Sequence, residues 1–348
     1  MAQETELDPL DRRLLNALQV DPRATWTALA PIVGADPATL SRRWQRLHED
    51  GIAWITGRFG GVTPTGAAMI EVECAPRRIQ ETAALLAEDH QVQVLDQTAG
   101  TRDLLVTAAC GTMDALGEYV SGRLSVLPGV RSVRTHPWID LLFEGGDWRL
   151  RALTPEESVA LPAVPRPRPR AAATVPESLR DILRYELAID GRATATAIGE
   201  RWDVRPQRIT DAIATLRQSG DLRLRADIAR RWSDWPVYAW YFIEAPASIV
   251  EQLRTALGKV PQIRLAALTA SRYNLMLAVW LRDLAGIQAF EVAFERAAPG
   301  ARIQDRSLVM RVVKHMGRIL DENGQATGRI VPIAPYPSGA LPPGSASS

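Results

Sequence analysis

Two segments of the chain carry arginine and hydroxyl side chains at a spacing that suits contact with DNA. The polar residues of the first segment are Thr39, Ser41, Arg42, Arg43 and Arg46. Arginine can bind guanine O6 and N7 with two hydrogen bonds, and serine or threonine can reach bases or phosphates. Leu40, Trp44 and Leu47 form the apolar side of the same segment. This pattern favours a recognition helix, although some of its arginines could instead pair with Glu49 or Asp50 on a solvated face.

The second segment is less basic than the first. Its candidates for DNA contact are Arg205, Gln207, Arg208 and Thr210, with Arg217 near its end. Asp211 stands where the first segment has Arg42, and a carboxylate repels phosphate but can accept a hydrogen bond from cytosine N4. Either this segment reads a different half-site or it is retained for packing, and we favour an asymmetric DNA reader.

Both segments belong to a unit that occurs twice. Between residues 10–51 and 179–220, 12 of the 42 aligned positions are identical, at a constant offset of 169. About two or three identities would be expected by chance. Asp8-Pro9, Thr25 and Asp36 are placed to cap three short helices in the first copy. Three helices with a tight turn before the third predict a helix-turn-helix domain in each copy.

After each trihelical unit the apolar period changes and predicts the order βαββαβ, the ferredoxin-like arrangement. The predicted class is therefore α+β, with two winged or trihelical helix-turn-helix domains, each followed by a βαββαβ domain. The expected boundaries are 1–55 and 66–150 for the first pair of domains, 177–228 and 236–330 for the second, 151–176 for a Pro/Arg-rich extended linker, and 331–348 for a disordered tail. Residues 57–66 are predicted to form a flexible connection between the DNA-binding and sensing domains of the first half. The linker arginines Arg166, Arg168 and Arg170 either follow a phosphate backbone or belong to a solvated tether.

The order of three motifs resembles the Lrp/AsnC (feast/famine) family of transcription regulators. The motifs are Leu10-Asp11-Arg12-Arg13-Leu14-Leu15, the helix Leu40-Ser41-Arg42-Arg43-Trp44-Gln45-Arg46-Leu47, and the turn Gly100-Thr101-Arg102-Asp103-Leu104-Leu105. The resemblance implies a DNA-binding domain joined to a RAM-type sensing domain that responds to amino acids. It also implies homo-oligomers assembled through the sheets of the sensing domains. Family members usually carry one unit in each chain, whereas this chain carries two.

The resemblance also implies an effector site at the turn of the sensing domain. The candidate residues are Gly100, Thr101, Arg102 and Asp103 in the first copy and Ser271 and Asn274 in the second. Asp103 could meet the ammonium group of an amino acid, or it could only cap the turn. Asn274 lacks the charge of Asp103, which weakens the second site. In the family, the position of Arg43 is often structural or contacts phosphate.

Composition narrows the remaining function classes. The net charge of +1 provides no overall basic field, so DNA binding must come from local patches. The four histidines show no metal-ligand spacing, no nucleophile–base arrangement is apparent, and no apolar run is long enough to span a bilayer. We therefore expect a cytoplasmic protein with no cofactor, no metal and no enzyme activity. The leading hypothesis is a sequence-specific regulator of double-stranded DNA tuned by a small-molecule effector. The alternatives are a low-specificity architectural, nucleoid-associated protein and an enzyme or carrier that uses the βαββαβ domain alone.

Overall fold

The computed structural model describes residues 6–60, 65–162, 164–168 and 174–337. The elements of the first half are α1 (Pro9–Val20), α2 (Trp26–Val33), α3 (Pro37–Glu49), β1 (Ala53–Phe59), β2 (Ala67–Cys74), α4 (Ile79–Ala87), β3 (Val92–Thr98), β4 (Leu104–Ala109), α5 (Met113–Glu118) and β5 (Val130–Phe143). A π-helical turn, Tyr119–Leu124, continues α5. The expected domain boundary at residue 55 falls inside β1.

The second half follows the same order of elements. After a short helix α6 (Pro155–Val159) come α7 (Glu177–Ile189), α8 (Ala195–Trp202), α9 (Pro206–Gln218), β6 (Leu222–Ile228), β7 (Val237–Glu244), α10 (Ala247–Leu253), β8 (Ile263–Thr269), β9 (Leu275–Leu281), α11 (Ala285–Ala297), β10 (Arg302–His315), β11 (Arg318–Leu320) and β12 (Ala326–Ile330). The order βαββαβ is confirmed in each half.

Side-chain caps explain where the first three helices begin. Leu10 N–H donates to the Asp8 carboxylate, Ala28 N–H to the Thr25 hydroxyl and Thr39 N–H to the Asp36 carboxylate, at 2.7, 3.3 and 2.9 Å. These bonds satisfy backbone donors that have no partner within the helix. The three predicted caps are confirmed.

Eight strands form one closed sheet in the order β10-β3-β4-β2-β5-β8-β9-β7, with β7 pairing back to β10. The sheets of the two βαββαβ domains therefore pair within the chain. The two 14-residue strands join the halves. β5 pairs first with β2 of its own half and then, from Trp138, with β8 of the other. β10 pairs first with β7 and then, from Val309, with β3. Closure gives hydrogen-bond partners to the backbone groups on the outer edges of β3 and β8, which two separate sheets would leave unpaired.

Each half of the closed sheet carries its own helices on one face. α4 and α5 cover one half through Leu86 and Leu116, while α10 and α11 cover the other through Leu253 and Phe290. The opposite face carries a third apolar cluster with residues from both halves, including Met69, Leu105, Trp240, Phe242, Met276 and Trp280. The core of the sheet is therefore shared by the two halves.

A two-stranded antiparallel ribbon of β1 and β6 joins the helix-turn-helix units. Thr56 lies opposite Arg225, and these two residues also occupy equivalent positions of the repeat, so a pseudo-two-fold axis passes between them. Residues 57–59 are thus part of a strand. They are not the flexible connection that the glycines suggested, and of that stretch residues 61–64 lie outside the described residues.

The segment expected to be an extended linker folds onto the first unit. Thr154 and Glu157 form a capping box at the start of α6, and Arg13 pairs with Glu157 at 2.8 Å. Leu153 and Leu161 are buried in the core of the first helix-turn-helix unit. The expectation of an extended linker is therefore wrong up to Leu161, because the proline-rich part of the segment begins later. Arg170 lies outside the described residues.

The first part of the expected disordered tail is also ordered. Val331 N–H donates to the Gly317 carbonyl at 2.8 Å, and the ring of Tyr336 packs against Tyr185 and Trp202. Residues 338–348 lie outside the described residues. In the described ranges we find no helix with both the length and the apolar character needed to cross a lipid bilayer.

Candidate functional site

The arginines of α3 fall into two groups. Arg43 pairs with Asp11 of α1 at 2.9 Å, and Arg46 pairs with the same carboxylate, whose side chain is only 3% exposed. The sequence had suggested Glu49 or Asp50 as partners, but α1 crosses α3 and places Asp11 between both guanidinium groups. Arg42 is exposed, and none of the ion pairs among the described residues involves it. Arg42 is therefore available to a ligand without the loss of an ion pair.

α9 presents a different set of polar groups. Arg205 and Arg208 are exposed at its N-terminal end. Asp211 accepts hydrogen bonds from Arg168 at 2.6 Å and from the Gln207 amide at 3.2 Å. Its negative charge is thus neutralised by an arginine of the preceding segment. The Thr210 hydroxyl donates to the Pro206 carbonyl at 3.1 Å.

The two helix-turn-helix units contact each other through equivalent arginines. Arg23 donates to the carbonyls of Gly191 and Ala193 at 2.7 and 2.9 Å. Arg192 donates to the carbonyls of the equivalent residues, Pro22 and Ala24, at 2.7 and 3.2 Å. A guanidinium bound by two carbonyls fixes both distance and orientation. This reciprocal contact sets the position of α3 relative to α9.

The turn proposed as an effector site is tied into the fold through Arg102 and Asp103. The Asp103 carboxylate accepts the Cys74 N–H at 2.7 Å, while the side chain of Arg102 is 2% exposed and lies 3.1 Å from Glu71 and 2.6 Å from Asp305. Gly100 and Thr101 are exposed. Asp103 therefore connects its turn to the end of β2.

The turn of the second half makes the corresponding contact with an amide. Asn274 accepts the Ala245 N–H at 3.0 Å and donates to the Ala245 carbonyl at 2.8 Å. An amide can make both bonds, whereas a carboxylate can only accept. The change from Asp103 to Asn274 therefore preserves the turn and removes its charge.

Glu71 connects the two turns inside the closed sheet. It is 4% exposed, lies 3.1 Å from Arg102 and accepts a hydrogen bond from His136 Nε2 at 2.9 Å, while the other nitrogen of His136 is 2.9 Å from the Ser271 hydroxyl. Burial raises the pKa of the Glu71 carboxyl, but the hydrogen bond with His136 and the charge of Arg102 outweigh it, so the pKa lies below its ordinary value. Arg102 and Ser271 thus belong to one buried polar network between the halves.

A cavity of about 1250 Å³ lies between the β1–β6 ribbon and the closed sheet. All eight strands of that sheet and both strands of the ribbon contribute to its wall. Its lining includes Trp54, Trp138, Trp240, Arg230, Arg264 and Arg311. None of the six residues predicted to bind the effector is part of this lining.

Positive side chains of the cavity lining surround one carboxylate of the ribbon, Asp227, which is not itself part of that lining. Asp227 pairs with Arg225, accepts from His315 Nε2 at 3.2 Å and lies 3.8 Å from Arg264. Burial disfavours a charged Asp227, but the charges of Arg225 and His315 outweigh it and keep its pKa well below the usual range. Burial lowers the pKa of Arg264 to about 9, so this arginine stays charged at neutral pH. Two charged arginines and one carboxylate leave this wall positive.

The first half of the sequence matches two models of one protein family. A family model described as the AsnC-type helix-turn-helix domain matches residues 7–48, and one described as the Lrp/AsnC ligand binding domain matches residues 67–146. An uncharacterised HTH-type transcriptional regulator of Pyrococcus furiosus is 30% identical over 135 residues, which are 37% of this chain and 89% of that protein. The chain belongs to the Lrp/AsnC family. It carries the family's DNA-binding domain and ligand-binding domain, and it is a transcription regulator.

A further Lrp/AsnC relative shows the same extent of similarity. The HTH-type transcriptional regulator LrpA1 of Halobacterium salinarum is 27% identical over 132 residues, which are 36% of this chain and 90% of the relative. Each relative thus corresponds to one half of this Lrp/AsnC chain.

One solved fold is similar to nearly the whole Lrp/AsnC chain. The siroheme decarboxylase NirDL aligns with a TM-score of 0.54 and 14% identity over 88% of this chain and 93% of its own. A second structure of NirDL, in complex with an iron-uroporphyrin III analogue, aligns with the same TM-score over 94% of this chain. At this identity the similarity concerns the fold alone.

Sequence reasoning about this Lrp/AsnC protein missed the cavity and its charged wall. Trp240 and Trp280 occur in apolar patterns, which are typical of core residues, and they are 2% and 7% exposed. The available signal was the alternation Arg223, Arg225, Asp227 after α9, where charges recur on one face of a strand. That signal does not say which surface the face meets.

Proposed function

We propose that this protein is a sequence-specific transcription regulator in which two tandem Lrp/AsnC units of one chain act as a built-in heterodimer. The observation that carries the proposal is the reciprocal contact of Arg23 and Arg192. It relates the two helix-turn-helix units by a pseudo-two-fold axis, the symmetry that such regulators otherwise gain by dimerising. In this proposal α3 and α9 enter neighbouring major grooves about 34 Å apart, or a multiple of that distance.

The two recognition helices are proposed to read different half-sites. α3 offers Thr39, Ser41 and Arg42 to the DNA, with Arg43 and Arg46 held by Asp11 and close enough to the helix surface to meet phosphate. α9 offers Arg205, Gln207, Arg208 and Thr210. Because Arg168 neutralises Asp211, the second helix can approach the phosphate backbone without an exposed negative charge.

A small-molecule effector, an amino acid or a related compound, is proposed to modulate DNA binding or assembly. The turn residues remain the proposed amino-acid site, with Gly100 and Thr101 as its exposed part. The proposed homo-oligomer must use surfaces other than the edges of β3 and β8, since these pair within the chain. The molar mass in solution, measured with and without a panel of amino acids, tests both points.

Footprinting and gel-shift titration on DNA upstream of the protein's own gene test the main proposal. We expect two unequal protected half-sites. Arg42→Ala should weaken specific binding by about tenfold or more, since a bidentate arginine–guanine contact contributes ~1–3 kcal/mol. Arg302→Ala, at an exposed arginine of β10, is the matched control and should change binding little.

Equal affinity for specific and random duplexes across a salt titration would contradict this proposal. That result would instead support the architectural alternative, because non-specific binding rests on phosphate neutralisation. Equal effects of Arg42→Ala and Asp211→Ala would contradict the asymmetry.

The cavity favours a second candidate function, the binding or decarboxylation of a tetrapyrrole. Its volume of about 1250 Å³ exceeds the ~300–1,000 Å³ of an ordinary small-molecule pocket. The siroheme decarboxylase NirDL has a similar fold over most of this chain. Incubation with siroheme, followed by mass spectrometry for loss of CO₂, tests this candidate, and unchanged siroheme would exclude the decarboxylation.

A further inference from the structure

The geometry points to the cavity between the ribbon and the closed sheet as a regulatory site for a flat organic polyanion. The inference rests on the proposed regulator function, because it assigns a regulation of DNA binding to this cavity, in addition to the proposed amino-acid site at the turns. Its basis is the size, charge and aromatic lining of the cavity, and the strands that form its wall.

The volume of the cavity excludes a close fit for a single amino acid. Drug-sized ligands occupy pockets of about 300–1,000 Å³, and this cavity measures about 1250 Å³. An amino acid would contact one part of the wall and leave the rest to water. A larger ring system can contact the ribbon and the sheet at the same time.

The lining carries eight arginines and six carboxylates, and this positive excess favours an anion. Arg264 is 6% exposed, and its nearest carboxylate, Asp227, is 3.8 Å away and already pairs with Arg225. Arg230 and Arg311 also line the cavity and take part in none of the ion pairs among the described residues. A buried cation without a close partner is costly, so carboxylate or phosphate groups of a ligand would stabilise this wall.

Several donors of the lining have no hydrogen-bond partner within the described structure. They are the indole nitrogens of Trp54 and Trp138, Nη1 of Arg264, and Nε of Arg225, Arg230 and Arg311. One unsatisfied buried donor costs about 1–3 kcal/mol, and native proteins keep few of them. Six such donors beside one cavity add to the polar character of its wall.

The aromatic side chains favour a flat ligand. The guanidinium carbon of Arg264 lies 4.1 Å from the ring centre of Trp280, which lines the cavity, and 4.3 Å from that of Trp148, which does not. The ring centre of Tyr238 lies 6.0 Å from that of Trp240 and 6.4 Å from that of Trp280. Rings beside cations provide surfaces on which a conjugated anion can stack.

The wall also connects the cavity to the DNA-reading helices. Trp54 lies on β1, which follows α3, and Arg225 lies on β6, which follows α9. The same cavity is bounded by Trp280 of β9 and Arg264 of β8 in the closed sheet. A ligand that contacts both sides changes the free energy of any ribbon movement and therefore the relative position of α3 and α9.

Titration of the full chain with iron-uroporphyrin III, a flat polycarboxylate, tests the inference. We expect one molecule to bind per chain, with quenching of tryptophan fluorescence, and a change in DNA affinity of about tenfold. Arg264→Gln should weaken probe binding by at least about tenfold and leave the DNA affinity of the probe-free protein unchanged. Arg230→Gln, at a less buried position, serves if Arg264→Gln fails to fold, and Arg302→Gln is the matched control outside the cavity.

Two comparisons make the result decisive. Citrate, an anion without a ring, and L-leucine, an amino acid, should leave the tryptophan fluorescence unchanged. Equal binding of citrate would overturn the flat-ligand assignment, and absence of probe binding would overturn the site. Probe binding without any change in DNA affinity would overturn the regulatory role. If the protein without the probe shows no specific DNA binding, this result would count against the proposed function and not against the cavity.

Discussion

Arg217, in the last turn of the second recognition helix, forms a buried ion pair with Asp21 at the end of α1. Their side chains are 8% and 5% exposed, and Nη2 of Arg217 lies 2.6 Å from Oδ1 of Asp21. The equivalent residues, His48 and Asp190, make no such contact, because His48 approaches the Ala53 carbonyl instead. Arg217 had been a candidate for DNA contact, but it connects α9 to the first unit.

Replacing Arg217 should therefore affect folding. We expect Arg217→Ala to lower the free energy of unfolding by about 3–5 kcal/mol, since it leaves the Asp21 carboxylate buried and unpaired. Urea denaturation followed by circular dichroism measures this loss. The double variant Arg217→Ala/Asp21→Ala should regain part of it. A loss no larger than that of Arg329→Ala, which breaks the exposed pair with Glu88, would contradict the prediction.

Arg168 should support DNA binding through Asp211. Arg168→Ala leaves the Asp211 carboxylate facing the phosphates, so the affinity for specific DNA should fall by several-fold. Gel-shift titration at two salt concentrations measures the effect. Removing the carboxylate as well, in Arg168→Ala/Asp211→Ala, should restore most of the affinity. If the double variant binds as weakly as Arg168→Ala, then Arg168 contacts the DNA directly.

Asp96 should make stability depend on pH. Burial raises the pKa of its carboxyl to about 6, even though Trp240 donates a hydrogen bond to it at 2.9 Å. Between its ordinary pKa of 3.8 and about 6, the unfolded chain releases a proton that the folded chain retains, so stability falls as the pH rises through this window. An asparagine keeps the acceptor for Trp240 and does not ionise. Asp96→Asn should therefore stabilise the protein at pH 7.5, by on the order of 1–3 kcal/mol, and much less at pH 4.

Thermal unfolding at both pH values checks this prediction. Asp114→Asn, at an exposed position in the first turn of α5, is the control and should show no comparable pH dependence. A destabilised Asp96→Asn variant at pH 7.5 would mean that the ionised carboxylate is required by its neighbours.

Gly191 allows α7 and β1 to approach each other closely. A Cβ at this position would lie 2.4 Å from Cγ2 of Ile55 and 3.1 Å from its carbonyl carbon. Gly191→Ala should therefore lower the free energy of unfolding by about 1–3 kcal/mol, as overpacked sites do. Gly117→Ala is the matched control in α5, where a Cβ meets open space, and it should stabilise the helix by up to about 1 kcal/mol. Equal midpoints of urea unfolding for the two variants would contradict the close approach.

The sequence determined the local structure of this protein. Caps such as Asp8, Thr25 and Asp36 act on backbone donors two or three residues away, so they could be recognised without knowledge of the fold. The apolar period and the repeat at an offset of 169 gave the element order of both halves in the same way. The turn at Asp103 and its counterpart at Asn274 were also located correctly, because their sequence pattern is local.

Only the tertiary structure decided what those elements contact. Three features depend on residues that are distant in sequence. They are the crossing of β5 and β10 to the other half, the carboxylate that holds Arg43, and the contacts of Arg217 and Arg225. A strand pattern shows that one face is apolar but not which partner covers it. The cavity lined by Arg225 and Arg264 forms from ten strands at once, so no single segment of the sequence carries its signature.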